Sequence, residues 1–178
     1  MAIRKIARMG QPILRKVAKA VPVEAITTSP IQSIITDMLD TVLDADGAGL
    51  AAPQIYESKR IVLLRFNQNE DFQVWINPEI TALSDEQLIT FEGCLSVPDL
   101  RGAVPRVAHI HVKAYNEKGE VFEQEFEDYP AVVAQHECDH LDGILYVDRA
   151  FPQTLSFLRE YRRYQDELWA QITEEENI

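Results

Sequence analysis

The stretch that decides the reading is Gln135-His136-Glu137-Cys138-Asp139-His140-Leu141-Asp142-Gly143. It holds the pattern H-E-x-x-H inside a predicted helix that opens near Pro130, runs to about Leu141 and closes at Gly143. A helix turns about 100° per residue, so residues four apart share a face. His136 and His140 can therefore grip one metal ion through neutral imidazole nitrogens. Glu137 sits beside that face, too far round to be the best third ligand. It is well placed to take a proton from a water at the metal. Cys138 points roughly away from the metal face and reads as a small core or surface residue. The competing reading of the same five residues is a pair of ordinary helix histidines.

Working outward, Val107 to Tyr115 and Glu120 to Glu127 flank Asn116-Glu117-Lys118-Gly119 and predict a hairpin that feeds the central helix. His109 and His111 alternate on its first strand, face one side and read as surface positions. Further upstream, Arg60 to Phe66 carries the apolar run Ile61-Val62-Leu63-Leu64, and Phe72 to Ile76 reads as a strand ending at Asn77-Pro78. Residues 30–45 place Ile31, Ile34, Ile35, Met38, Leu39, Val42 and Leu43 on one stripe of a helix. Ser29 is positioned to cap that helix, Pro30 suits its first turn, and Gly47 and Gly49 end it. Downstream, a third helix is expected from Pro152 to Ile172, followed by an acidic tail over 173–178. Helices at the ends with strands between predict an α+β fold, one domain over 1–178, its antiparallel or mixed strands packed around the H-E-x-x-H helix.

Composition sets limits on function. The chain has 178 residues, 46% hydrophobic and 26% charged, with a net charge of −12. That length suits one domain that needs no covalent staple. A generic nucleic-acid binder draws its affinity from basic residues on phosphates, so direct binding to bulk DNA is not expected. No apolar run approaches the roughly 20 residues needed to span a membrane. Met1 to Ala20 lacks the apolar core of a secretory signal. Six basic residues there admit a transit-peptide reading, but Gly10-Gln11-Pro12 interrupts any single amphipathic helix. A reducing, cytoplasmic setting is expected, in which Cys94 and Cys138 serve as ligand, nucleophile or core rather than as a disulfide.

A catalytic metal usually has a third protein ligand and one open position. No histidine follows His140, and Glu160 is the plausible downstream carboxylate. The other candidate is Cys94, in Phe91-Glu92-Gly93-Cys94-Leu95-Ser96-Val97-Pro98. Gly93 lets backbone approach closely there, and Pro98 ends any central strand. That cysteine could equally be a buried, inert thiol. A third segment, Gly47-Ala48-Gly49-Leu50-Ala51-Ala52-Pro53-Gln54, has the glycines and small side chains of a loop that meets a substrate backbone, although helix ends also use glycine.

Taken together, Gly47 to Gln54, Glu92 to Ser96 and Gln135 to Gly143 resemble the three signatures of the peptide deformylase family, in the family's order. The resemblance runs from Gly10-Gln11-Pro12-Ile13-Leu14-Arg15 to Val147-Asp148-Arg149. It implies a hydrolase that releases formate from the formyl-methionyl ends of nascent chains. It implies one divalent metal held by Cys94, His136 and His140, iron(II) in the usual bacterial member, with zinc, nickel or cobalt able to replace it. Glu137 would be the general base, and the Gln54 side chain with the Leu95 backbone N–H would stabilise the oxyanion. Gly49, Glu92, Gly93, Arg101, Val132 and Val133 would contact substrate. Two departures bear on methionine selectivity: Ala48 replaces a branched residue, and Asp128-Tyr129-Pro130 replaces a glycine and an aliphatic residue. Relatives with a long C-terminal helix dock on the ribosome through it; the acidic Glu174-Glu175-Glu176 argues against that partner here.

Two other functions stay open at this point. One is a zinc endopeptidase with Glu160 as third ligand. The other is a non-enzymatic binding protein using Arg159, Arg162 and Arg163, a cluster that otherwise reads as a solvated helix face.

Overall fold

The computed structural model describes residues 2–175, with side chains through residue 172; the end of the expected acidic tail lies outside the described residues. In chain order the elements are α1 (Ser29–Asp44), β1 (Gly49–Ala51), β2 (Ile61–Leu64), β3 (Gln73–Ala82), β4 (Gln87–Cys94), β5 (Val97–Val107), β6 (His109–Tyr115), β7 (Val121–Glu127), α2 (Asp128–Leu141), β8 (Ser156–Phe157) and α3 (Leu158–Glu175). β1-β2-β3-β6-β7 form one antiparallel sheet, and β4-β5-β8 form a second.

The four residues of β2 explain the architecture. All are buried, and strand alternation sends neighbours to opposite faces. Val62 and Leu64, with Trp75, Ile110, Val112 and Phe126, pack on Ala131, Val133, Ala134 and Leu141 of α2. Ile61 and Leu63, with Leu50 and Ile76, pack on Ile31, Ile35, Met38 and Val42 of α1. The five-stranded sheet thus lies between two helices, and each large aliphatic side chain buried this way stabilises by about 1.5–3 kcal/mol. The other side of α2 faces the second sheet. There Val97 and Val104 of β5 pack with Ala7, Leu14, Leu145 and Tyr146. The α+β fold, with antiparallel strands around the central helix, is as the sequence predicts.

Several boundaries differ from expectation. Ser29 is the first residue of α1, and its N-cap is Thr28, whose hydroxyl donates to the Ala25 carbonyl instead of capping the helix. The strand expected to stop at Asn77-Pro78 continues to Ala82 through a bulge there, with Asn77 at φ 52°. A bulge absorbs a proline that a regular ladder cannot. Pro98, expected to end a central strand, instead lies inside β5, and the segment around Cys94 is a hairpin. β5 contains both Pro98 and Pro105; beyond β4 its strand partner is β8 at Leu100 and Arg101, with further bonds at Ala103 and Val107, and neither proline stands at a position where a donor is used. α2 starts at Asp128, two residues before Pro130. α3 starts at Leu158, because Pro152–Thr154 form a 3₁₀ turn and Ser156-Phe157 pair with β5 instead of joining the helix.

Candidate metal centre and active-site cleft

α2 carries His136 and His140 with ring centroids 5.3 Å apart, as the four-residue spacing requires. Cys94 ends β4, just before the tight turn into β5, and the β4–β5 hairpin brings it over this helix face. One donor atom each from Cys94, His136 and His140 lies within 4.8 Å of the others, and the three could hold a metal ion. Cys94 Sγ is 3.2 Å from His140 Nε2. His136 Nδ1 lies 2.7 Å from Glu92 Oε2. A carboxylate accepts the Nδ1 proton and turns Nε2 toward the cluster, the arrangement that orients metal-bound histidines elsewhere.

Electrostatics suit the same assignment. Burial alone would raise the Glu92 pKa, but hydrogen bonds from Arg106 and His136 hold it at about 2. Burial likewise opposes ionisation of Cys94, yet His140 and His136 bring its thiol well below the ordinary range, toward the thiolate that ligates metals. Behind the ligands runs a charge network, buried at Glu92, Arg106 and Asp139 and reaching the surface at Arg149. Arg106 grips Glu92 through Nε and Nη2 at 2.8 and 3.0 Å and reaches Asp139 Oδ2 at 2.5 Å. Arg149 binds the two oxygens of Asp139 at 2.7 and 2.8 Å.

Glu137 is 5% exposed, and its Oε2 has no hydrogen-bond partner among the described residues. Burial raises its pKa to about 7 against the pull of the two histidines. A carboxyl group near neutrality both accepts and returns a proton readily. Cys138 is buried away from the cluster, and desolvation pushes its thiol up. Glu160 is exposed on α3 and lies outside the three-residue group.

The 3₁₀ turn after β1 brings Gln54 to the same place. Its Oε1 accepts from Ala51 N at 2.7 Å, and its Nε2 donates to Ser96 Oγ at 3.0 Å and reaches Cys94 Sγ at 3.6 Å. The N-terminal arm ties these segments together: Ala7 N donates to the Gln54 carbonyl at 2.7 Å and Met9 N to the Ser96 carbonyl at 2.8 Å.

These groups line a cleft of about 640 Å³. Gly47, Ala48 and Gly49 form one wall, Thr90 to Leu95 the opposite wall, and Val132, Val133, His136 and Glu137 the floor. β1 and β4 are edge strands of their sheets, so an extended peptide laid between them meets unpaired backbone on both sides. Gly49 has a second role that spacing did not show. A Cβ there would sit 2.3 Å from Glu137 Oε1, so the missing side chain makes room for that carboxylate. At Gly93 a Cβ would sit 2.0 Å from Arg101 Nη1, so the Arg101 guanidinium packs over this glycine at the rim. Tyr129, which the sequence marks only as a departure bearing on selectivity, lines the cleft, as does Arg8, and neither Arg8 nor Arg106 is marked by any motif. Arg106 is legible only once the β4–β5 register is known, since that pairing turns a 14-residue separation into contact.

A helix bearing H-E-x-x-H, faced by a cysteine on a neighbouring hairpin inside a peptide-sized cleft, has the frame of a single-metal hydrolase. The model of the family described as polypeptide deformylase matches residues 3–155. A peptide deformylase of Leptospira biflexa is 44% identical over 158 residues, covering 84% of this chain and 88% of that protein. A Met-Ala-Ser-bound crystal structure of the class I type b peptide deformylase from Acinetobacter baumannii superposes with a TM-score of 0.78 at 38% identity, covering 83% of this chain and 98% of that one. A Legionella pneumophila peptide deformylase structure gives a TM-score of 0.79 at 38% identity over 97% and 98% of the two chains. The chain belongs to the polypeptide deformylase family, a family of metal-dependent hydrolases. The endopeptidase reading with Glu160 is not favoured.

Proposed function

We propose that this chain is a metal-dependent hydrolase that removes the formyl group from the N-terminal formyl-methionine of nascent polypeptides and releases formate. The observation that carries the reading is the convergence of Cys94, His136 and His140 beside a buried Glu137 in a cleft walled by two edge strands. Thiolate with two imidazoles fits a divalent first-row metal, and iron(II) is the proposed native ion, with zinc, nickel or cobalt as substitutes. When bound, such an ion supplies Lewis acidity, polarising a carbonyl and lowering the pKa of water toward neutrality.

The chain's own groups do the rest. The extended substrate lies between β1 and β4, main-chain bonds giving affinity and leaving most downstream side chains free. The methionine side chain enters the apolar floor at Val132 and Val133, and Arg101 at the rim meets the peptide further along. Glu137 takes a proton from the attacking water as the oxygen bonds to the formyl carbon. It then gives that proton to the amine nitrogen as the C–N bond breaks, leaving formate and a free N-terminus. Gln54 Nε2 and the Leu95 backbone N–H steady the negative charge that builds on the formyl oxygen. One such donor is typically worth about 100- to 1000-fold in rate. Glu92, engaged by Arg106, keeps His136 correctly turned, and Gly93 leaves room for Arg101.

No described helix is long and apolar enough to cross a membrane. Two free thiols and a substrate made where proteins are synthesised support a cytoplasmic setting. Cys94→Ser and Glu160→Gln, each assayed for metal content and for formate release, test the ligand set. Loss of both with Cys94→Ser and retention of both with Glu160→Gln is the expected result; the reverse pattern would move the third ligand to Glu160, and no formate from the metal-loaded parent would bring the endopeptidase reading forward.

A further inference from the structure

The substrate cleft does not end at its rim. Asp99 and Leu158 also line a second cleft of about 600 Å³, completed by Phe157, Arg159, Arg162 and Arg163. Three guanidinium groups face one carboxylate, Asp99, in a chain whose net charge is −12. Glu160 stands on the same helix outside that lining. On a straight helix Arg162 would meet Asp166, and Arg163 would meet Glu167, as four-residue pairs. Tyr164 breaks the helix between them, with φ −127° and ψ 24°, and Arg163 lies over the Tyr164 ring at 5.1 Å instead. No ion pair joins any of the three arginines to a carboxylate among the described residues. Beside them Phe157 is 70% exposed. The kink thus parts Arg162 and Arg163 from their four-residue partners, Arg159 has an arginine and no carboxylate four residues on, and all three stand where the two clefts meet at Asp99 and Leu158.

We propose that this outer cleft receives the part of the substrate polypeptide beyond the first few residues and selects acidic side chains there. The proposal rests on the deformylase reading. Continuity of the two clefts and charge complementarity argue for the substrate's own chain as the occupant. An extended peptide advances about 3.3 Å per residue, so the effect belongs to positions past those that fill the inner cleft. The expectation opposes the field of the whole molecule, which at net −12 disfavours acidic ligands.

The test is formate release from formyl-Met-Ala-Ser peptides extended by a neutral spacer and then by three Glu, three Gln or three Lys of equal length. The Glu tail is expected to raise kcat/KM over the Gln tail by about fivefold at low salt, since each exposed ion pair contributes little and is screened. The gain should lie in KM, because the contact is alike in ground and transition states. The triple variant Arg159→Gln, Arg162→Gln, Arg163→Gln should lose the preference while turning over plain formyl-Met-Ala-Ser at the parental rate. Equal tails, or a Lys tail ahead as net charge alone dictates, would overturn the proposal and leave deformylation standing. Inhibition of the parent but not the triple variant by a short RNA duplex, with all tails equal, would also overturn it and assign the arginines to a phosphate-bearing partner. No formate from any peptide takes down the proposal and the deformylase reading together.

Discussion

Replacing Gly49 by alanine should cripple turnover without touching the metal ligands. The added Cβ would lie 2.3 Å from Glu137 Oε1, 2.6 Å from Cδ and 2.8 Å from Cγ. Ordinary contact begins near 3.4 Å, so the carboxyl group must retreat by roughly 1 Å. Glu137 is 5% exposed and packed inside the fold, so β1 and α2 share the displacement. A misplacement of about 1 Å at a reacting group costs on the order of 100-fold in rate. Overpacking a buried site adds about 1–3 kcal/mol of destabilisation. Formate release at saturating formyl-Met-Ala-Ser, read beside elemental analysis, should show kcat down about 100-fold with metal content kept. Gly47→Ala is the control. Its Cβ would meet Leu95 Cδ1 and Val42 Cγ2 at 3.0 Å and the Gly49 carbonyl oxygen at 3.3 Å, none of them closer than 3.0 Å and none of them on Glu137, and it should cost less. A parental kcat for Gly49→Ala, or equal losses for the two variants, would refute the idea that Gly49 makes room for Glu137.

Other outcomes follow from the same structure. Arg106→Met leaves buried Glu92 without its arginine, while Asp139 keeps Arg149, and should cost about 3–5 kcal/mol in urea denaturation. With His136 less firmly oriented, metal affinity in a chelator competition should fall about 10- to 100-fold. Gln54→Leu should lower kcat by about 100- to 1000-fold with the fold intact, read by formate release and circular dichroism. Asp148 tests the pairing of Arg15 with the turn after α2. Burial would raise its carboxyl pKa, but Arg15 and the Leu145 N–H hold it below 3.8. A depressed carboxyl pKa adds stability above the unfolded value and loses it as pH falls through the folded one. Asp148→Asn should therefore lower Tm at neutral pH, and the gap to the parent should close in acid below 3.8.

The central helix was legible because its chemistry repeats at the helical period, and β2 because four apolar residues in a row need cover on both faces. The turn at Asn116 to Gly119 marked the β6–β7 hairpin directly. The β4–β5 hairpin was not legible. Pro98 and Pro105 argue against a strand, and only their places on β5, where no donor is used, make them tolerable, which is a property of the sheet and not of the segment. The start of α3 was misplaced for a similar reason: Ser156 and Phe157 have a partner in β5, and local sequence does not announce it. Motifs put Cys94, His136 and His140 together by resemblance, but the Glu92–Arg106–Asp139–Arg149 network behind them joins residues scattered through the chain, and no spacing rule connects those.

The most direct test is formate release from formyl-Met-Ala-Ser by protein purified without oxygen, beside Glu137→Ala prepared in the same way. Rapid formate from the parent, and at least about 100-fold less from a variant that keeps its metal, is the predicted result. A folded parent that makes no formate when loaded in turn with iron(II), nickel and zinc, or a Glu137→Ala variant as fast as the parent, would contradict it.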